Sequence, residues 1–526
     1  MTGPSPEALA RLQLEAARQE AREHQRRLMQ GLGNPIISFE NHGYRVVCVG
    51  KEVRWSKAWR TFPDFLFDYI KVKFTPEWGN AELAKPEAER HPLLKWYYKV
   101  CMLQQTLPKG PDGIHSAEMT GAVRAYLGLA YDLYLSAHNA ELPKLLLKRL
   151  RNPQTFEGAI YEARVIGSLA RAGFHIELED ETDSDRSHCE LTATHKDTGR
   201  KFSVEAKAVT SVSSRSGASA EPPRIRNQLY KALCKQADHE RMIFIELNRA
   251  ASGAAGEVPD WMQHIDAELE QAEKELTIDG QPAPPAYVMV TNLGAVHALD
   301  STVFTDIGLA CGFKIPDFAS RTSARSILEL VDAREKHLEL HWLRKALHRQ
   351  QTVPSTFDDR LSEESRNKAL PRLLIGSTYL IPLADGRDAP AVLTDAVVLE
   401  PEQSAYGTYR CADGTHVICK TPLSDAEMAA YKGSPQTFFG IIKDVSREIK
   451  EPLDAFDFFW ESHSDTPKEK LIEFTSNWPD AAALHQLDQH RLAQVYCARY
   501  AENLWAARVR DKNASGGRST PPSPQC

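Results

Sequence analysis

Glu205 and Lys207 stand two positions apart in the run FSVEAKAV, residues 202 to 209. The run alternates like a strand, so Phe202, Val204 and Ala206 face one way and Ser203, Glu205 and Lys207 the other. The apolar face is expected to pack, leaving a carboxylate and an amine on the second face, roughly 7 Å apart. At that spacing both can act on one ligand without touching each other. A preceding strand, CELTAT, supplies Glu190, and the Gly-bearing turn HKDTGR predicts a hairpin that converges two carboxylates and one amine. Two carboxylates suit Mg²⁺ (or Mn²⁺), a hard cation that takes oxygen ligands and keeps several waters. In phosphodiester hydrolysis such a metal activates water, while a nearby lysine orients that water or neutralises charge at phosphorus. Asp183 and Asp185 in the acidic loop DETDSDRSH rival Glu190 as the metal ligand. The bland alternatives are a solvated strand glutamate at 190 and a surface ion pair between 205 and 207.

The elements around these residues are readable from periodicity. Residues 155 to 172 predict a helix capped by Thr155, with Ile160, Ala163, Val165, Ile166, Leu169 and Ala170 filling one side and Gly173 ending it. The strand FHIELE follows, then CELTAT, then KFSVEAKAV. A Ser- and Gly-rich loop, 209 to 223, leads to the helix RIRNQLYKALCKQADHE, the strand RMIFIEL and a further apolar strand AYVMVTNL. The order αβββαβ implies an α/β domain whose sheet mixes antiparallel and parallel pairs.

Glu190, fourteen intervening residues, Glu205, Ala206 and Lys207, placed behind the helix GAIYEARVIGSLARAGF, resemble the PD-(D/E)XK nuclease superfamily and its restriction-endonuclease-like fold. The helix resembles the first helix of Holliday-junction resolvases, with Gly158, Glu162, Leu169, Gly173 and Phe174 at matching positions. The resemblance implies that Glu162 supports the metal or its water, and that Glu190, Glu205 and Lys207 are catalytic. It covers residues 155 to 248 only. The family usually carries Asp, often after Pro, where this chain has Glu190.

Between Gly199 and Arg241 nine basic residues face four acidic ones, in a chain whose net charge is −7. A basic patch beside carboxylates is what a phosphate backbone requires, and Arg224, Arg226, Gln228 and Lys231 are the expected DNA contacts. RNA stays open as the polymer, and many enzymes of this fold cut as homodimers. The other serious reading is a nuclease fold that has lost cleavage and serves as a nucleic-acid-binding or scaffold module. A purely structural helical protein is a third.

With 526 residues, 42% of them apolar, the chain can build several cores. Residues 1–150 read as a mostly helical domain, 151–350 as the nuclease-like domain, 371–450 as a small β-rich module, 451–510 as C-terminal helices and 511–526 as a disordered tail. The helix at 6–31 reads as solvated, and the aromatics that follow it as core. No stretch has the roughly 18 uncharged apolar residues of a membrane span, so a soluble, cytoplasmic protein without a membrane partner is expected. Nine cysteines without a CxxC pair argue for free thiols rather than a zinc site. HCE at 188–190 lacks the PCxxC that completes a deaminase zinc site. Neither a GxxxxGK phosphate loop nor a GxSxG elbow occurs. His115 and His138 read as structural.

Overall fold

The computed structural model describes the chain apart from residues 1–4, 108–117, 141–142, 179–188, 210–223, 251–260, 305, 319–325, 350–352, 358–372, 384–385, 434, 436–437, 441–448, 450–451 and 516–526. It is a mixed α/β protein that divides into two compact units, Met1–Pro316 with Trp342–Val445, and Asp317–His341 with Ser446–Cys526.

The first unit is organised by a six-stranded sheet. Its elements begin with α1 (Pro6–Gln30), α2 (Gly121–Asn139) and α3 (Phe156–Arg171), and continue with β1 (Phe174–Leu178), β2 (Leu191–His195) and β3 (Lys201–Ala208). Then come α4 (Arg226–Leu233), β4 (Glu240–Glu246), α5 (Trp261–Glu275), β5 (Ala286–Leu293) and β6 (Asp306–Phe313). The strands lie side by side in chain order. β1, β2 and β3 pair antiparallel, β3, β4 and β5 pair parallel, and β6 closes the edge antiparallel to β5.

Parallel pairs need crossovers, and α4 and α5 supply them. Ile225, Leu229 and Leu233 at the first crossover, and Ile265, Leu269 and Ala272 at the second, bury against Ile243, Ile245, Val288 and Val290 of the sheet. Ladder partners share a face, so Glu205, opposite Ile243, and Lys207, opposite Ile245, look toward this same helical layer. The polar face of β3 is therefore covered rather than open, contrary to the sequence expectation. Ser203 and Glu205 are buried along with Phe202 and Val204, because the crossover helices roof the strand from sequence-distant segments.

α3 lies between the sheet and α2, packing on β1, β3 and α2. The sequence predicts an apolar stripe on one side, but every residue from Tyr161 to Arg171 is buried. The charges this traps are paired: Arg164 Nε lies 3.3 Å from Asp132 of α2, and Arg124 of α2 lies 3.3 Å from Asp306 of β6. Thr155 occupies the cap position, yet its hydroxyl donates to the Arg149 carbonyl instead of accepting from the helix. Gly173 ends the helix with φ of +88°, a conformation that favours glycine.

Ahead of α2, a three-stranded antiparallel sheet spans Ile37–Ser56, and helices include Phe62–Phe74 and Pro92–Thr106. Of the aromatics there, Phe62, Phe65, Tyr69 and Trp96 are buried in the core as expected, whereas Trp55 and Tyr98 are exposed. His138 is structural, its ring bridging the Gly50 amide and the Pro35 carbonyl. His115 lies outside the described residues. A four-stranded antiparallel sheet, β7 (Thr378–Pro382), β8 (Asp388–Leu399), β9 (Ser404–Cys411) and β10 (His416–Pro422), follows. α1 is not simply solvated: it packs on β8, burying Ala17 and Ala21, and Arg18 donates to Thr378.

In the second unit, Ile327 and Val331 of the helix Ile327–Lys336 share a core with Phe456, Leu471, Leu492 and Tyr496. The last helix runs from Gln489 to Ser515, so residues 511–515 are helical where the sequence predicts a tail. Among the described residues no helix is long and apolar enough to cross a membrane.

Candidate functional site

The hairpin of β2 and β3 brings the central residues together by local pairing. Leu191 sits opposite Val204, and the Glu190 amide extends the ladder by donating to the Val204 carbonyl at 3.0 Å. Glu190 thus stands just before β2, beside Glu205, with its Oε2 accepting from the Ala206 amide at 3.0 Å. Lys207 Nζ lies 3.7 Å from Glu190 Oε1. It also pairs directly with Glu205 Oε1. The sequence expectation keeps 205 and 207 out of contact, but it considers only the spacing of the Cα atoms. A lysine stem is long enough to fold back along the strand, and a buried carboxylate draws the nearest cation.

Burial sets the electrostatics. Glu205 is 1% exposed, Lys207 23% and Glu190 28%. Glu205 Oε2 is buried with no hydrogen-bond partner among the described residues. The desolvated position of Glu190, next to the Glu205 and Glu162 carboxylates, pushes its pKa up to about 8, against the opposing pull of Lys207 and the Ala206 amide. Desolvation acts to lower the pKa of Lys207, but Glu205 and Glu190 outweigh it and hold the amine above its ordinary range.

Glu162, on α3, lies within electrostatic reach of Glu190. Its carboxylate is gripped by Arg149, with contacts of 2.8 and 2.6 Å, and only 7% of its side chain is exposed. Asp183, Asp185, Arg215 and the Ser-rich loop at 210–223 lie outside the described residues. Among the described residues no group of three or more His, Cys, Asp or Glu side chains is arranged to hold a metal ion. The donor set that fits a divalent cation is smaller: Glu190 and Glu205, two hard oxygen donors, one of them with an unsatisfied buried oxygen.

The expected DNA contacts gather around α4. Glu268 of α5 fixes its start by accepting from the Ile225 and Arg226 amides at 3.0 and 2.9 Å. Arg226 is partly neutralised by Glu275 at 2.9 Å, Gln228 is half-buried, and Arg224 and Lys231 are exposed. Arg200 is likewise committed, to Glu240 and Tyr287. A patch judged by counting charges is therefore weaker than its count.

Sequence reasoning misses Glu246, at the end of β4. It is 5% exposed and accepts from the Thr291 hydroxyl and the Leu293 and Asn248 amides. Burial pushes its pKa up to about 7, against those hydrogen bonds and the charge of Arg164. The signal for it is a lone carboxylate ending the apolar run RMIFIEL. The chain matches no family model, no curated protein and no solved structure.

Proposed function

We propose that residues 155–293 form a restriction-endonuclease-like core of the PD-(D/E)XK kind, and that the protein is a metal-dependent endonuclease hydrolysing DNA phosphodiester bonds. The observation that carries the reading is the convergence of Glu190, Glu205 and Lys207 on one hairpin, with a buried carboxylate oxygen of Glu205 left without a partner among the described residues. Glu190 and Glu205 would hold Mg²⁺ or Mn²⁺, which supplies charge neutralisation at phosphorus and an activated water when bound. Lys207 holds its proton firmly between two carboxylates and offers positive charge to the phosphate. Glu162, oriented by Arg149, adds negative charge beside Glu190. Arg224, Arg226, Gln228 and Lys231 belong to the proposed DNA surface. A homodimer acting in the cytoplasm on phage, restriction or repair substrates completes the reading.

A second reading, a nuclease fold that binds nucleic acid without cutting, is favoured by the direct neutralisation of Glu205 by Lys207 and of Glu162 by Arg149. Cleavage of supercoiled plasmid and of labelled duplex, branched and single-stranded DNA and RNA with Mg²⁺ or Mn²⁺ separates the two. Metal-dependent cutting that falls by about 10²-fold or more in Glu205→Gln is expected. Salt-dependent binding with no cutting by the wild type would instead establish the binding module.

A further inference from the structure

Beside the carboxylates lies an open pocket of about 480 Å³ lined by two basic side chains. Its charged wall is Lys235 and Arg241, its polar edge Gln236, and its apolar walls include Leu233, Ile278 and Pro282. The short hairpin pairing Thr277–Ile278 with Gln281–Pro282 supplies the far side. Unlike Arg200 and Arg226, neither Lys235 nor Arg241 has a carboxylate partner among the described residues. Among the described residues, the hydrogen bond of the Arg241 guanidinium is to the Lys235 carbonyl, at 3.4 Å, and its Nε is buried without an acceptor. A guanidinium in this state lacks the acceptors that its planar fork is shaped to receive.

The register ties the pocket to the site. Arg241 pairs with Ser203 and Ile243 with Glu205, so Arg241 and Glu205 share a face two residues apart. Two residues along and one strand across, their Cα atoms stand about 8 Å apart, a span that their long side chains can match to neighbouring phosphates in one nucleic-acid strand. Cys189 confirms the adjacency, for its thiol lies within electrostatic reach of Arg241 and Lys235 as well as Glu205 and Glu190, and its amide donates to the Gln236 carbonyl. We infer that the pocket of Lys235 and Arg241 is a phosphate subsite, which takes the DNA backbone phosphate next to the one held at Glu190, Glu205 and Lys207. The apolar walls offer a surface to the attached sugar. The inference rests on the nuclease reading for its ligand, and it adds two contacts that the charge pattern does not single out.

The test is equilibrium binding of fluorescein-labelled DNA in EDTA, so that nothing is cut, from about 50 to 200 mM NaCl. Wild type is compared with Lys235→Ala, Arg241→Ala and Arg241→Lys, alongside cleavage kinetics in Mg²⁺. Each alanine variant is expected to lower the slope of log affinity against log salt by about 0.7 to 0.9, while Arg241→Lys keeps the slope. The kinetic loss is expected chiefly in KM. If wild type binds and cuts but the alanine variants bind with unchanged slope, the subsite is wrong and the nuclease reading survives. Should wild type bind without cutting while the variants lose slope, the subsite stands and hydrolysis falls. Absence of both DNA binding in EDTA and cutting in Mg²⁺ by wild type overturns both. Lys235, half-buried at the pocket rim, decides the matter alone should Arg241→Ala fail to fold.

Discussion

Lys207 and Glu205 form an asymmetric pair, and the asymmetry is measurable. Glu205 is enclosed while Lys207 reaches solvent, so removing the amine leaves a buried charge with no counter-ion, whereas neutralising the carboxylate leaves an amine that water can serve. Lys207→Ala is expected to cost about 3 kcal/mol of stability, the low end for orphaning a buried charge. Glu205→Gln should cost clearly less, and paired thermal melts read the difference. Glu246 gives a prediction in pH. Its folded pKa of about 7 lies above the ordinary 4.5, so its contribution to stability is complete below pH 4.5 and is lost as pH rises through 7. The loss is about 3 kcal/mol at alkaline pH. In Glu246→Gln the amide oxygen can still accept from Leu293 and Asn248 while its NH₂ donates to Thr291, which can then donate to Tyr161. That variant is expected to melt higher than wild type at pH 8.5 and to show little or no gain at pH 5.

Elements meet at different tolerances along α3. A Cβ at Gly167 would lie 2.6 Å from the Asp132 carboxylate and 3.3 Å from its Cα, where α2 approaches most closely. Gly167→Ala should therefore destabilise by about 1–3 kcal/mol through overpacking and a disturbed Arg164–Asp132 pair, despite alanine's better helix propensity. Gly158, near the start of the same helix, has nothing within 4 Å of the point a Cβ would occupy. Gly158→Ala is expected to be neutral or to stabilise by up to about 1 kcal/mol. Both are read by denaturation. If Gly158→Ala keeps its stability but loses DNA affinity, the glycine serves close approach of the backbone of DNA rather than packing.

At the scale of the whole molecule, the second unit is built from two stretches of chain separated by more than a hundred residues, 317–341 and 446–526. Among the described residues, the buried core partners of Ile327 and Val331 beyond their own helix lie in the later stretch. Truncation after Val445 strips these residues of partners and exposes an apolar face, so the shortened protein is expected to bind a hydrophobic dye and to aggregate. Dye fluorescence and light scattering against the full chain check this. The overall charge of −7 has a related consequence. If the protein binds DNA as proposed, the affinity must come from local cations and should fall with salt according to the few phosphates contacted rather than with total basic content.

Much of the architecture is legible in the sequence because it is local. Period-2 alternation marks β3, an apolar run marks β5, a glycine stops α3, and the HKDTGR turn sets the hairpin that puts Glu190 beside Glu205. α5 carries a readable signal too, with Ile265, Leu269 and Ala272 at helical spacing, although no helix is among the expectations there. β6 does not: DIGLACGF holds two glycines, and pairing along β5 supplies what its propensity lacks. What only the tertiary structure decided is the environment of each charge. The sequence by itself put carboxylates and cations at the site. It could not tell that crossovers would bury Glu205, that Arg149 would grip Glu162, that Glu275 would engage Arg226, or that Arg241 would keep an unmatched nitrogen. Turns and strand alternation are set by neighbours a few residues away, whereas burial and counter-charge come from segments that meet only when the chain has folded.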